Sequence, residues 1–326
     1  VLQRIISLVS VTQQEIIPDL TMEETQISPE ISARPAEQEP IINPQNSEPK
    51  QALSSVLAIQ PRSPLPSPMV EKTSWKISVA LVLILFIGAY FRFTGLNWDE
   101  GQHQHPDERF ISMVAGQIEE VNGVGEYFDT DQSSLNPLQF GSYTYGMFPL
   151  FFTRMVAKWV GMSDYDSVTL VGRAMSGVFD LLAVWMLYLL GKRLYNQRIG
   201  LLAAALCAAA VLPIQLSHFF AVDSFSTVFV VAGFYFVIQA IPIHSLYEKI
   251  YRSNLIYFGL FGFIIGLAGA FKLNTLAVFG IIILAGIVRI ITDWKKPDFH
   301  TVLKIIFSGW VLAAFFAFLA FRVFQP

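Results

Sequence analysis

The stretch Trp75-Lys-Ile-Ser-Val-Ala-Leu-Val-Leu-Ile-Leu-Phe-Ile-Gly-Ala-Tyr-Phe-Arg-Phe93 decides the fold. Between Lys76 and Arg92 it carries no charge, and a helix needs roughly 20 apolar residues to cross the hydrocarbon of a bilayer. The same texture returns six times. The predicted spans are Ile77–Phe93, Leu170–Leu190, Gly200–Ile214, Ser224–Ile241, Leu255–Phe271, Leu276–Ile291 and Leu303–Phe321. The third is short and is expected to tilt or to break near Pro213. Helices are expected because each backbone polar group in lipid must be satisfied within its own segment. The expected architecture is an all-α, polytopic membrane helix bundle of about seven transmembrane helices.

Composition agrees. Of 326 residues, 53% are hydrophobic and only 14% charged, where a soluble domain carries nearer a quarter. A net charge of -3 supplies no basic field, so nucleic acid is not an expected partner. The single cysteine, Cys207, excludes a disulfide framework within the chain and any Cys-rich zinc module.

Residues 1–74 differ from the rest, holding ten of the 17 prolines and much Gln, Glu and Ser. Such a segment buries too little apolar surface to offset its ordering entropy, so a disordered cytoplasmic tail is expected, with a tethering role toward other membrane proteins. Residues 75–326 form the membrane domain.

The short loops orient it. Gly191–Gly200 carries Lys192, Arg193 and Arg198; Pro242–Asn254 carries Lys249 and Arg252; Asp293–Lys304 carries Lys295, Lys296 and Lys304. All three fall on one side, which the positive-inside rule makes cytoplasmic. The long acidic loop 95–168 then faces the periplasm or exterior of a bacterial cell membrane, with a cytoplasmic N-terminus. Within it, Pro106–Val121 has helical spacing, and Gly146–Val160 is apolar but short, with Arg154 and Lys158 inside. That suits a helix lying in the interface rather than one that crosses.

The reactive side chains concentrate in Asn97-Trp-Asp-Glu-Gly-Gln-His-Gln-His-Pro-Asp-Glu-Arg-Phe110, directly after the first span. A carboxylate beside lipid and partly desolvated is suited to take a proton from a hydroxyl. Asp99, His103, His105 and Asp107 are also a donor set for a divalent ion, with hydrogen bonding as the alternative use of the histidines. Ionisable groups in or beside spans often mark function. Lys272 ends the fifth span level with the acidic cluster, and Arg173 lies near the start of the second. Asp223 and His218 sit on the turn between the third and fourth. Asp180 lies deeper and reads as a bundle contact. Tyr143 and Tyr145 could line a sugar site or anchor in the interface.

Phe91-Arg-Phe-Thr-Gly-Leu-Asn-Trp-Asp-Glu followed by His105-Pro-Asp-Glu-Arg resembles the multispanning C-type glycosyltransferases, within them the family 39, protein-mannosyltransferase-like group. The likeness continues in Phe140-Gly-Ser, Pro149-Leu, Gly172-Arg-Ala-Met-Ser-Gly-Val-Phe-Asp180, Gln215-Leu-Ser-His-Phe-Phe-Ala-Val-Asp223 and Lys272-Leu-Asn. The resemblance implies transfer of a sugar from a polyprenyl-phosphate carrier to a protein, lipid or glycan acceptor on the outer face. It implies Asp99, with Glu100 beside it, as the acceptor base. Lys272 is assigned to the donor phosphate, and Arg173 either to that phosphate or to a cluster carboxylate as a structural salt bridge. His105, Asp107, Glu108, His218, Asp223 and Tyr143 fall around the substrates. Relatives usually continue beyond Pro326, so a C-terminal part is expected to be lacking. The alternative is a shortened homologue serving as a non-catalytic subunit of a larger membrane complex.

Overall fold

The computed structural model of the protein describes residues 74–136, 139, 145–243 and 248–326. The expected tail lies, up to residue 73, outside the described residues, as do Tyr143 and Phe140-Gly-Ser. Among the described residues every regular element is helical. They are α1 (Trp75–Phe93), α2 (Pro106–Gln117), the single turn α3 (Val124–Tyr127), α4 (Phe148–Trp159), α5 (Tyr165–Leu194), α6 (Gln197–Ala209), α7 (Val211–Ser217), α8 (Val222–Ala240), α9 (Leu255–Phe271), α10 (Phe279–Asp293) and α11 (Phe299–Phe324).

Six helical segments are long and apolar enough to cross a membrane, and the bent pair α6–α7 supplies a seventh. All seven expected spans are therefore present as helices. The third breaks at Ala210, with 58° between its halves. Local chemistry sets the other ends. Asp164 caps α5 by accepting from the Ser167 N–H, and Lys192 and Arg193 occupy its last turn, where cations suit the helix dipole. Asn196 caps α6 by accepting from Arg198 and Ile199.

Packing fixes the order. The most extensive contact is α9 on α11, where Gly262 and Gly266 lie against the backbone at Ala313 and Ala317. Small residues let helices approach closely where lipid removes the hydrophobic drive to associate. At the end of the bundle where α1 finishes and α5 begins, Ile111, Val114, Leu150, Phe220, Phe225 and Phe271 share one buried core. That core seats α2 and α4 on the spans. At 12 residues, α4 is about 18 Å long, well short of a bilayer core of about 30 Å. Its buried face carries Leu150, Thr153 and Ala157, while Met155 and Trp159 are exposed. Arg154 is used on its neighbours, donating to the carbonyls of Ile118 and Ser163. The loop therefore begins and ends on one side of the bundle.

The basic loops meet at the opposite end. Arg193 pairs with Glu248 at 2.8 Å, and the buried Arg289 donates to the carbonyls of Pro242 and Glu248 at 3.1 and 2.7 Å.

Candidate functional site

Two charged centres sit side by side at the end of the bundle that carries the acidic loop. The first is sealed. Arg173, on the first third of α5, spends all five N–H donors within the protein. Its Nε meets Glu108 Oε1 at 2.8 Å and its Nη1 meets the Leu96 carbonyl and Asp99 Oδ1 at 2.7 and 3.0 Å. Its Nη2 meets Asp99 Oδ2 and Glu108 Oε2 at 2.8 and 2.6 Å. The Asp99 and Glu108 side chains have no exposure to solvent.

Backbone N–H groups complete Asp99 and add a second donor to Glu108 Oε1. Asp99 accepts from the Gly101 and Gln104 N–H groups, each at 3.3 Å, and Glu108 Oε1 accepts from the Phe220 N–H at 2.7 Å. The turn that folds Asp99 back on Arg173 places Glu100 and His103 in the left-handed region, at φ of 52° and 47°. The guanidinium hydrogen bonds outweigh burial and hold the Asp99 carboxyl down at about 2. Trp98 lies over the guanidinium, 5.4 Å away, with its Nε1 donating to the His218 carbonyl at 3.2 Å.

The second centre is open. Lys272, just past the end of α9, places its Nζ 2.6 Å from Asp223 Oδ1 in the first turn of α8, with the two side chains 30% and 47% exposed. The Tyr145 phenol lies near the exposed Asp107 carboxylate and feels the charges of Asp107 and Asp223. Burial first, then these carboxylates, push its phenol up to about 12, so it stays a neutral donor. Tyr145 is held there by its neighbour: the Gly146 N–H donates to the Phe271 carbonyl at 3.0 Å, one residue before Lys272. Asp107 directly precedes Glu108, and Asp223 lies three residues after Phe220, so the open centre rests on the sealed one.

The four residues named for a metal do not gather around a point. His103 Nε2 meets Asp166 at 2.8 Å and its Nδ1 meets the Thr169 hydroxyl at 3.3 Å. His105 caps α2, its Nδ1 accepting from the Glu108 N–H at 3.3 Å, and Asp99 is taken by Arg173. Among the described residues no group of three His, Cys, Asp or Glu could hold a metal ion.

The model of the dolichyl-phosphate-mannose-protein mannosyltransferase family matches residues 150–321, just over half of the chain. The chain belongs to this family. It is a membrane glycosyltransferase by that membership. No individually curated protein matches it. The matched segment contains Arg173, His218, Asp223 and Lys272, and it begins after the acidic cluster.

The structure thus brings Asp99, Glu108 and Arg173 together, and separately Asp223 and Lys272, with Asp107 and Tyr145 beside them. Glu100 is exposed. His218 binds neither group: its ring nitrogens face the carbonyls of Ile214 and Thr94 at 2.7 and 3.0 Å, tying α7 to the end of α1. Sequence reasoning left Arg92 without a role. It is fully buried and pairs with Asp180 at 2.6 Å. The signal was available, since a cation inside an apolar span must find a partner.

Proposed function

We propose that this transferase takes a sugar from a polyprenyl-phosphate carrier and attaches it to an acceptor hydroxyl at the outer face of the membrane. The observation that carries the reading is the half-exposed Lys272–Asp223 pair, with the Tyr145 phenol and Asp107 close by. A departing lipid phosphate needs positive charge where its own charge develops. Lys272 supplies that charge, and Asp223 orients the ammonium until the phosphate arrives. The acceptor hydroxyl attacks the sugar carbon from the face opposite the phosphate, so its base must stand apart from the lysine. Asp223, in contact with Lys272, is too close to the leaving group for that task. Asp107, on a different helix from Asp223 and exposed to an incoming acceptor, fits it.

This moves the base from Asp99, where the family resemblance points, to Asp107. Asp99 has no free lone pair and no exposure, and a carboxyl held at about 2 is a weak base at neutral pH. Its work is to lock Arg173 and Glu108, and so to fix Asp107. Positive loops at the opposite end of the bundle support the orientation, with the transfer site outside. The test is turnover of labelled polyprenyl-phosphate sugars by full-length protein in lipid nanodiscs. Asp107→Asn is expected to fold with unchanged stability and to lose transfer, whereas Asp99→Asn loses stability first. Full turnover by the Asp107 variant rejects the assignment.

A further inference from the structure

The third span is broken, and the break is capped from another helix. The backbone turns extended at Ala210 (φ −69°, ψ 129°), which takes the next helical N–H groups away from the last carbonyls of α6; Cys207 still accepts from the Ala210 N–H at 3.2 Å, and the Ala208 carbonyl needs a donor from elsewhere. Arg92, on α1, provides them. Its Nη1 donates to the Ala208 carbonyl at 2.9 Å and its Nη2 to the Cys207 carbonyl at 3.3 Å. Its Nε is held by Asp180 of α5 at 2.6 Å, and a further bond runs to the Gly88 carbonyl at 3.1 Å. An unsatisfied carbonyl in lipid and a lone buried guanidinium are both costly, and each here removes the cost of the other.

The half-span beyond the break leads straight to the site. α7 ends at His218, which is tied to Thr94 and Trp98. Two residues on, the Phe220 N–H holds Glu108, and Asp223 then meets Lys272. The direction in which α7 leaves the break therefore sets where both contacts fall. We propose that Arg92 and Asp180 are positioning residues for sugar transfer: they cap the broken span and thereby fix the segment 218–223 against both charged centres. Misplacement by about 1 Å is enough to cost a large factor in rate. The catalytic part of this assignment rests on the transfer reaction proposed above; the cap itself does not.

A plain electrostatic staple makes a different prediction. Neutralising both of its charges together leaves a packed bundle, with nothing further lost. If Arg92 caps the break, the same double change leaves the Ala208 carbonyl open and takes from Cys207 the second of its two donors. The decisive variant is therefore Arg92→Met with Asp180→Asn, which leaves no lone buried charge, studied as the full chain in nanodiscs. Arg92→Lys, which keeps the charge and one donor toward the carbonyls, serves as the rescue.

Three readouts are followed: amide exchange over residues 211–223, maleimide labelling of Cys207 (the single cysteine of the chain), and transfer kinetics. Exchange and labelling in the double variant are expected to rise about tenfold or more, tenfold being what loss of a single hydrogen bond to a charged group implies. kcat is expected to fall by a similar factor, and Arg92→Lys to recover most of each. Unchanged exchange over 211–223 overturns the cap. Faster exchange with wild-type kcat overturns the positioning role. A wild-type chain that is protected over 211–223 yet transfers no sugar sinks the reaction, and the positioning role with it, while leaving the cap standing.

Discussion

Replacing Arg173 by methionine is the most informative single perturbation of the sealed centre. It removes five N–H donors and leaves Asp99 and Glu108 facing each other, neither with any side-chain exposure. Removing one partner of a buried ion pair costs about 3–5 kcal/mol, because an uncompensated charge stays behind. Asp99 gives an independent figure. Its carboxyl lies at about 2 against 3.8, a shift worth about 2.5 kcal/mol at neutral pH. Spread over a domain of this size, the loss lowers the unfolding temperature by about 6–20 °C.

The pH dependence identifies the cause. In the wild type the Asp99 carboxyl is lower in the folded state than in the unfolded one, so its stabilisation is complete above pH 4 and is lost as pH falls toward 2. In the methionine variant two carboxylates share a site without a cation, so folding favours the protonated form and stability falls as pH rises. The difference between the proteins is therefore largest at pH 8 and narrows toward pH 4.5. Thermal unfolding in nanodiscs, followed by intrinsic fluorescence at both pH values, measures it. Equal unfolding temperatures at pH 8, or a gap that widens on acidification, would refute a sealed triad.

Lys272→Ala removes the only charge-assisted contact offered to the carrier phosphate in the proposed reaction, so the donor KM is expected to rise about tenfold or more while the acceptor KM stays put; steady-state kinetics against each substrate checks this. Tyr145→Phe removes the phenol donor beside Asp107 and is expected to lower kcat/KM about fivefold. Because the phenol titrates only near 12, that factor is expected to be constant from about pH 6 to 9, and a pH–rate series tests it. Gly146→Ala drives a methyl group into the backbone at Ala270, separating Tyr145 from Lys272. Overpacking against backbone costs about 1–3 kcal/mol, read as a lower unfolding temperature together with reduced transfer.

The spans were legible because crossing a bilayer demands long apolar runs, and no tertiary contact can substitute for them. Even the weakness of the third span could be read, from Pro213 and its shortness. The site was legible only as a composition. Asp99, Glu100, Asp107 and Glu108 are interchangeable on paper, and nothing in their spacing says which pair faces inward. That choice is made by α2, whose start at Pro106 turns Glu108 toward Arg173 and leaves Asp107 outside. Arg173 is likewise ambiguous at the start of a span until five acceptors surround it. Arg92 was legible by half: a cation in an apolar span calls for a partner such as Asp180, but the backbone carbonyls it also serves leave no mark in a sequence.

The adjacency of the two centres has a consequence for reading mutations here. Glu108 is held by Arg173 and by the Phe220 N–H, Asp107 is its neighbour in the chain, and Asp223 follows Phe220 by three residues. Any loosening of the triad shifts Asp107 and Asp223 together, away from each other and from Lys272. Loss of Asp99 therefore mimics loss of a base in an activity assay, although by this geometry it never touches substrate. Only its pairing with a fall in folding stability, absent when Asp107 is changed, separates the residue that reacts from the one that holds it in place.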